Sequence, residues 1–199
     1  MTRRLLLAAL APALVAASLG LTGCAGLGIP ISVPSTTDPD PAASSPVIGG
    51  LVGQLPPWDD AFAMTVVEIV DGDTVRAAID RSNDVVTTTN PISVRLVGID
   101  TPETYPDEEC FGPEAQDALA TLIPVGTTVL VAPDVDSWDD YNRRLFYMWT
   151  EDELFVNGIL ALGGYADVRS YPPNTTLQDE LQAAEDDAKA NDRGLWAAC

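Results

Sequence analysis

Seven prolines fall between Ala25 and Asp60, interleaved with Ser, Thr, Gly and Asp, and they confine folding to the residues beyond Asp60. A stretch of that composition cannot bury enough apolar surface to offset its ordering entropy, and part of it extends as polyproline II. Ahead of it, Arg3 and Arg4 precede an apolar run from Leu5 to Leu21 that contains Pro12 and leads into Gly23-Cys24. A charged start, an apolar middle and small residues at the end describe an export signal. The run is 17 residues long, the short end of what crosses a bilayer. The expected organisation is a signal over residues 1–23, a tether over 24–60 and one folded domain over 61–199. Those last 139 residues suffice for a single core.

Within the domain, period and punctuation supply the elements. Met64–Val70 and Thr74–Ile79 are β-rich runs around Asp71-Gly72-Asp73, which predicts a hairpin. Ile92–Ile99 is a third run, apolar on both faces apart from Ser93 and Arg95. Gly112-Pro113 opens a helix whose buried stripe is Ala115, Ala118, Leu119, Leu122 and Ile123. Thr127–Val131 and Arg143–Trp149 read as two more strands. Phe155–Leu162 reads as a short helix ended by Gly163-Gly164. Thr175 with Gln178 resembles a capping box for a last helix with Leu177, Leu181, Ala184 and Ala188 inward and Gly194 as its stop. Five strands with three helices predict an α+β domain of OB type, a small partly open barrel backed by helices.

Composition narrows the chemistry. The chain has no histidine, which excludes His-liganded zinc and His-based nucleophilic triads. Its three cysteines cannot form a four-thiolate centre. It carries 10 basic and 30 acidic residues, a net charge of −20, and losing Arg3 and Arg4 with the signal makes that −22. Such a chain repels polyanions at long range, so any nucleic-acid role rests on a local site.

Asp73, Asp100 and Glu103 fall at strand ends, with Pro102 stiffening the turn. Gathered carboxylates need a compensating cation, and hard oxygen donors select Ca²⁺ or Mg²⁺. The alternative is that they are simply turn formers. Arg95, inside an apolar strand, must find an anion, either in a structural pair with a carboxylate or in a ligand. Arg143 starts a strand, facing either solvent or a site.

Taken together, Val70-Asp71-Gly72-Asp73-Thr74, Val94-Arg95-Leu96-Val97-Gly98-Ile99-Asp100-Thr101-Pro102-Glu103-Thr104, Phe111-Gly112-Pro113-Glu114-Ala115 and Asp139-Asp140-Tyr141-Asn142-Arg143-Arg144-Leu145 resemble the staphylococcal nuclease (thermonuclease) family. Val156-Asn157, Pro173-Asn174-Thr175-Thr176 and Gly194-Leu195-Trp196 extend the resemblance over nearly all of the domain. It implies an OB barrel with three helices and hydrolysis of DNA and RNA phosphodiesters that leaves 3′-phosphate ends. It implies Ca²⁺ held by Asp73, Asp100 and the Thr101 carbonyl, with Glu103 holding the attacking water. Arg95 and Arg143 would clamp the phosphate, and Tyr141 and Tyr171 would contact the substrate. The chain departs from the family at Asn142, where glycine is usual, at Asp140, where a basic residue often stands, and at Leu177, often polar. Lys189 is its only lysine, so the usual basic surface is missing. An OB binding module without catalysis, or a Ca²⁺-dependent envelope lipoprotein, is the alternative, but neither requires both arginines.

Leu21-Thr22-Gly23-Cys24 resembles a bacterial lipobox, which implies acylation at Cys24 and a protein anchored at the outer face of the cytoplasmic membrane. An ordinary signal with a chance cysteine, or an uncleaved anchor, are the other readings. Cys110 and Cys199 then remain in an exported chain, where a disulfide is expected over two free thiols. No obligate protein partner is implied, and a monomer is expected.

Overall fold

The computed structural model describes residues 60–199. The expected signal, most of the tether and Cys24 therefore lie outside the described residues. In chain order the elements are β1 (Phe62–Ile69), β2 (Thr74–Ala78), β3 (Ile92–Leu96), β4 (Ile99–Asp100), α1 (Gly112–Leu122), β5 (Thr128–Trp138), β6 (Arg144–Thr150), α2 (Val156–Leu162), β7 (Asp167–Val168), α3 (Gln178–Ala190) and α4 (Leu195–Ala198). β1 and β2 form the expected antiparallel hairpin across Asp71-Gly72-Asp73, with Ile69 opposite Val75. β2 pairs with β3, placing Thr74 opposite Arg95. β3 runs parallel to β6, with Arg95 opposite Leu145, and β6 pairs with β5. β5 returns to β1, so the five-stranded barrel is closed and not partly open.

Alternation fills the barrel. Met64, Val66, Val75, Ala77, Val94, Val129, Val131, Phe146 and Met148 are all at most 1% exposed. β6 is buried on both faces, because α2 covers its outer side. Asn157, itself fully buried, ties that layer together: its Oδ1 accepts from Met148 N–H at 3.0 Å and its Nδ2 donates to Val97 O at 2.8 Å. Both amide groups are thus satisfied inside the core, which a polar side chain there requires.

Several expected boundaries differ, each for a local reason. The third apolar run is not one strand: it stops at Leu96, turns through Val97-Gly98 and resumes as β4, which pairs with β7. Gly98 has φ +81°, and a Cβ there would lie 2.4 Å from Leu181, so the turn needs glycine twice over. β5 continues beyond Val131 to Trp138, with its register to β6 shifting after Pro133. The capping box does not form. Leu177 is the N-cap of α3 without a side-chain cap, while Thr176 gives its N–H and hydroxyl to Asp134, at 3.0 and 2.8 Å. α3 ends at Ala190 with Asn191 as its C-cap, and Gly194 instead opens α4. Cys110 and Cys199 are joined in a disulfide across 89 residues, their Cα atoms 6.0 Å apart.

Candidate active site

The site begins at the hairpin. Asp71 Oδ1 accepts from the Asp73 N–H at 3.0 Å, an Asx-type turn that fixes the backbone entering β2. Asp73 is 4% exposed and accepts four hydrogen bonds. Its Oδ1 accepts from Thr74 Oγ1 at 3.0 Å, and its Oδ2 accepts from Thr101 N–H at 2.9 Å and Arg95 Nη2 at 2.9 Å. The Thr101 hydroxyl adds a longer bond to Oδ2 at 3.2 Å.

Arg95, opposite Thr74 in the β2–β3 register, is the hub. Nη1 donates to Leu96 O at 2.9 Å and Ile99 O at 2.8 Å, so the Val97-Gly98 turn wraps round the guanidinium. Nη2 donates to Asp73 and, at 2.6 Å, to Asp100 Oδ1. One nitrogen therefore bridges two carboxylates, one buried and one half-exposed. Arg95 makes the structural pair that one sequence reading expects, and it also lines a cleft. Burial pushes the Asp73 carboxyl up to about 7, with Arg95 pulling the other way and Asp71 adding to the rise. A single guanidinium shared between two carboxylates does not compensate them fully.

Arg143 arrives from the other side, just before β6. Its Nε donates to Asp139 Oδ2 at 2.6 Å and its Nη1 reaches Thr74 Oγ1 at 3.5 Å. The Asp139 carboxylate also accepts from the Tyr141 and Arg143 N–H groups, at 2.9 and 2.8 Å. Burial would raise its carboxyl, but these bonds and the Arg143 charge hold it below the ordinary range. Asn142 takes φ 65° in this loop, the left-handed conformation that asparagine tolerates. The Arg143 guanidinium lies 5.4 Å from the Tyr141 ring centroid.

Arg95, Asp100, Glu103, Tyr141, Arg143 and Tyr171 line one cleft of about 400 Å³, with Asp136, Asp139 and Asp140 also on its walls. Asp73 and Thr101 are buried and join it through the bonds above. Glu103 is exposed, and its carboxyl is raised first by partial burial and then by Asp71 and Asp100. Tyr141 is 82% exposed and Tyr171 49%, both unusually open for tyrosines. Tyr171 is placed by Asn174, whose amide exchanges two hydrogen bonds with the Asp136 backbone, at 2.7 and 2.8 Å.

The donor set fits a hard divalent cation. Asp73 and Asp100 already share one cationic nitrogen, the buried carboxylate is under-compensated, and the nearby donors are oxygens. Among the described residues no group of three or more acidic or thiol side chains forms a ready-made cage.

Sequence reading missed three members of this arrangement. Thr74 links Arg143 to Asp73, Asp139 braces Arg143, and Glu109 bonds the Glu103 backbone at 2.9 Å. Only Asp139 left a sequence sign, as an acid one loop ahead of an arginine; a threonine in a strand and a glutamate in an acidic loop leave none.

A family model described as staphylococcal nuclease homologue matches residues 93–198, from β3 to the C-terminus, leaving Asp73 and the first hairpin outside the match. Among curated proteins, a thermonuclease of Staphylococcus intermedius is 30% identical over 133 residues, covering 66% of this chain and 74% of that protein. A thermonuclease of Staphylococcus hyicus is 29% identical over 135 residues, with the same coverage. The endonuclease YncB of Bacillus subtilis is 27% identical over 137 residues, 67% of this chain and 61% of its own length. With the barrel, the Arg95–Glu103 segment and the Arg143 loop all in place, the chain belongs to the staphylococcal nuclease family.

Proposed function

We propose that this protein is a nuclease that hydrolyses phosphodiester bonds of DNA, RNA or both in a Ca²⁺-dependent reaction, leaving 3′-phosphate ends. The observation that carries the reading is the meeting of Arg95, Arg143, Asp100 and Glu103 in one cleft sized for a nucleotide linkage. Phosphodiester hydrolysis accumulates charge on the phosphoryl oxygens, and guanidinium forks aimed there lower the barrier electrostatically. Asp73, Asp100 and the Thr101 carbonyl would hold Ca²⁺, which supplies charge neutralisation of the diester. Arg95, on the cleft wall beside those carboxylates, would offer its guanidinium to the phosphate together with Arg143. Glu103, raised above an ordinary carboxylate, takes a proton from the attacking water and needs no histidine. Water oxygen bonds to phosphorus, the bond from phosphorus to the 5′ oxygen breaks, and that oxygen leaves with a proton drawn from solvent. Tyr141 and Tyr171 offer exposed rings to the flanking bases.

The supporting reading of the rest of the chain is an exported lipoprotein. Acylation at Cys24 anchors it outside the cytoplasmic membrane, residues 24–60 are the tether, and 61–199 act as a monomer. The structural bonds of Arg95 to the Leu96 carbonyl and Asp100 also suit a non-catalytic OB module. A turnover assay on DNA and RNA with Ca²⁺ or EGTA separates the two: Ca²⁺-dependent cleavage to 3′-phosphate ends supports the nuclease, and binding without cleavage supports the module. Release of the protein from membranes by Cys24→Ser tests the anchor.

A further inference from the structure

Glu103 is held by its main chain, and the holder is a single residue. Its N–H donates to Glu109 Oε2 at 2.9 Å, and its carbonyl accepts from the Glu109 N–H at 2.9 Å. Residues 105–109 are exposed, so this reciprocal pair closes a loop that has little packing of its own. The two glutamates carry like charges, and the bonds hold them together against that repulsion.

What fixes Glu109 lies directly after it. Cys110 is bonded to Cys199, and both residues are exposed. The far anchor is firm. Leu195 N–H donates to Gly164 O at 2.8 Å and Arg193 Nη1 to Leu162 O at 3.0 Å. On the near side, Gly112 N–H donates to Glu109 O at 3.1 Å. Gly112 also packs so closely that a Cβ there would lie 2.5 Å from Glu103 O. The returning limb of the loop is thus caught between the start of α1 and the C-terminal segment.

We propose that Glu109 is a positioning residue for Glu103, and that the Cys110–Cys199 disulfide holds Glu109 in register, so that reduction slows turnover without emptying the cleft. This rests on the nuclease reading. The reduction is a thiol–disulfide exchange: dithiothreitol supplies two electrons and two protons, becomes its cyclic disulfide, and leaves Cys110 and Cys199 as thiols. A displacement of the order of 1 Å at a water-activating carboxylate is enough to slow a reaction by about 10²-fold, while arginine contacts to the phosphate persist.

The test uses the purified protein with an oligonucleotide and Ca²⁺, oxidised or reduced and alkylated, beside the variants Cys110→Ser with Cys199→Ser, Glu109→Ala and Glu109→Gln. Hydrogen exchange of the segment covering residues 103–109 is followed in parallel, without Ca²⁺. Expected are a fall in kcat of about 10- to 100-fold for reduction, for the double serine variant and for Glu109→Ala, with KM within about twofold. Glu109→Gln keeps the acceptor oxygen and retains most of the rate. Exchange at 103–109 accelerates in the slowed forms while the barrel strands stay protected. Leu160→Ala, in the core, serves as a purely structural control that lowers Tm and leaves kcat unchanged. Unaltered kcat and exchange after reduction overturn the proposal, as does a loss no larger than that of the Leu160 control. No turnover in the oxidised protein overturns the nuclease reading and the catalytic half of this inference, while the exchange arm still decides whether the disulfide holds the clamp.

Discussion

Arg95 and Arg144 leave neighbouring parallel strands, and both are 8% exposed, yet their surroundings differ in kind. Arg95 meets two carboxylates and two carbonyls. Arg144 donates to the Val85 carbonyl and to Ser137 Oγ, and its guanidinium lies 3.7 Å from the Trp138 ring centroid. Its Nε makes no hydrogen bond, and burial lowers its pKa. One guanidinium is a charge shared among acids that can take another cation; the other is a charge sunk among neutral groups and an aromatic face. Strand alternation sends Arg143 to the cleft and Arg144 away from it, so one adjacent pair of like residues serves both ends.

The sharpest break of this comparison is by substitution. Arg95→Lys keeps a positive charge but loses the fork, and we expect kcat to fall by about 10²- to 10³-fold, the range for removing a donor from a developing anion. Arg144→Met should change kcat by less than about threefold and leave stability equal or improved, since it removes a desolvated charge with no acidic partner among the described residues. Arg95→Ala is the poorer probe, because it strands Asp73 at a cost of about 3–5 kcal/mol. Comparable losses for Arg95→Lys and Arg144→Met would erase the distinction.

The second test acts on the partners. Asp73 has its folded pKa raised from 3.8 to about 7, so the native state binds the proton more tightly than the unfolded state. Stability of the Ca²⁺-free protein should therefore fall as pH rises from about 4 to about 7 and level off above. Saturating Ca²⁺ reverses the slope, because the ion favours the charged carboxylate. Asp73→Asn mimics the neutral form: it flattens the Ca²⁺-free profile and removes most of the rise in Tm with Ca²⁺. Thermal melts from pH 4 to 8, with Ca²⁺ or EGTA, read all three, and an unchanged Ca²⁺ shift in the variant would exclude Asp73 as a ligand.

Fold and site were legible to different depths. The barrel strands and three helices follow from alternation, glycine and proline, because local pattern and packing agree there. The split of the Ile92–Ile99 run was hidden, since a mostly apolar stretch looks like one strand; the bend is set by Gly98 at positive φ and held by the Arg95 bonds to Leu96 and Ile99. The capping box expected at Thr175 and Gln178 does not form because the helix starts later, with Leu177 as its N-cap, and the neighbouring Thr176 is bound by Asp134, 42 residues upstream, an acceptor no local motif displays. Arg95, Asp100 and Glu103 were legible as a motif, but that Arg95 bridges Asp73 and Asp100 is a fact of register, Thr74 against Arg95. Glu109 stands among Asp107 and Glu108, and nothing in sequence distinguishes which of the three turns back.

A third cation separates charge pairing from catalysis. Lys189 Nζ lies 2.8 Å from Glu185, whose carboxylate also accepts from Val168 N–H and Gln182. Burial would raise the Glu185 carboxyl, but the Lys189 bond and these donors hold it below its ordinary value. Its stabilisation is therefore present above about pH 4.5 and lost as pH falls through the lower folded pKa. Lys189→Met should cost about 1 kcal/mol at pH 7 by urea titration, shrink that acid dependence and leave kcat unchanged. A change in kcat would tie the α3 pair to the cleft.

The smallest effect is read in salt. Arg95 and Arg143 are both already ion-paired, while Asp136 and Asp140 stand exposed on the cleft walls in a chain of net charge −20. A long nucleic acid therefore meets repulsion before it meets a guanidinium. Raising ionic strength from about 10 to 100 mM shortens the Debye length from about 30 to about 10 Å, which screens that approach more than the close contacts within the cleft. We expect kcat/KM on long DNA at saturating Ca²⁺ to rise about two- to threefold over this range, opposite to the loss with salt that protein–phosphate contacts ordinarily show. The rise should vanish for a dinucleotide, which presents one linkage, and shrink in Asp136→Asn with Asp140→Asn. A steady fall from the lowest salt upward would place the limiting step at the guanidiniums themselves and not at the acidic wall around them.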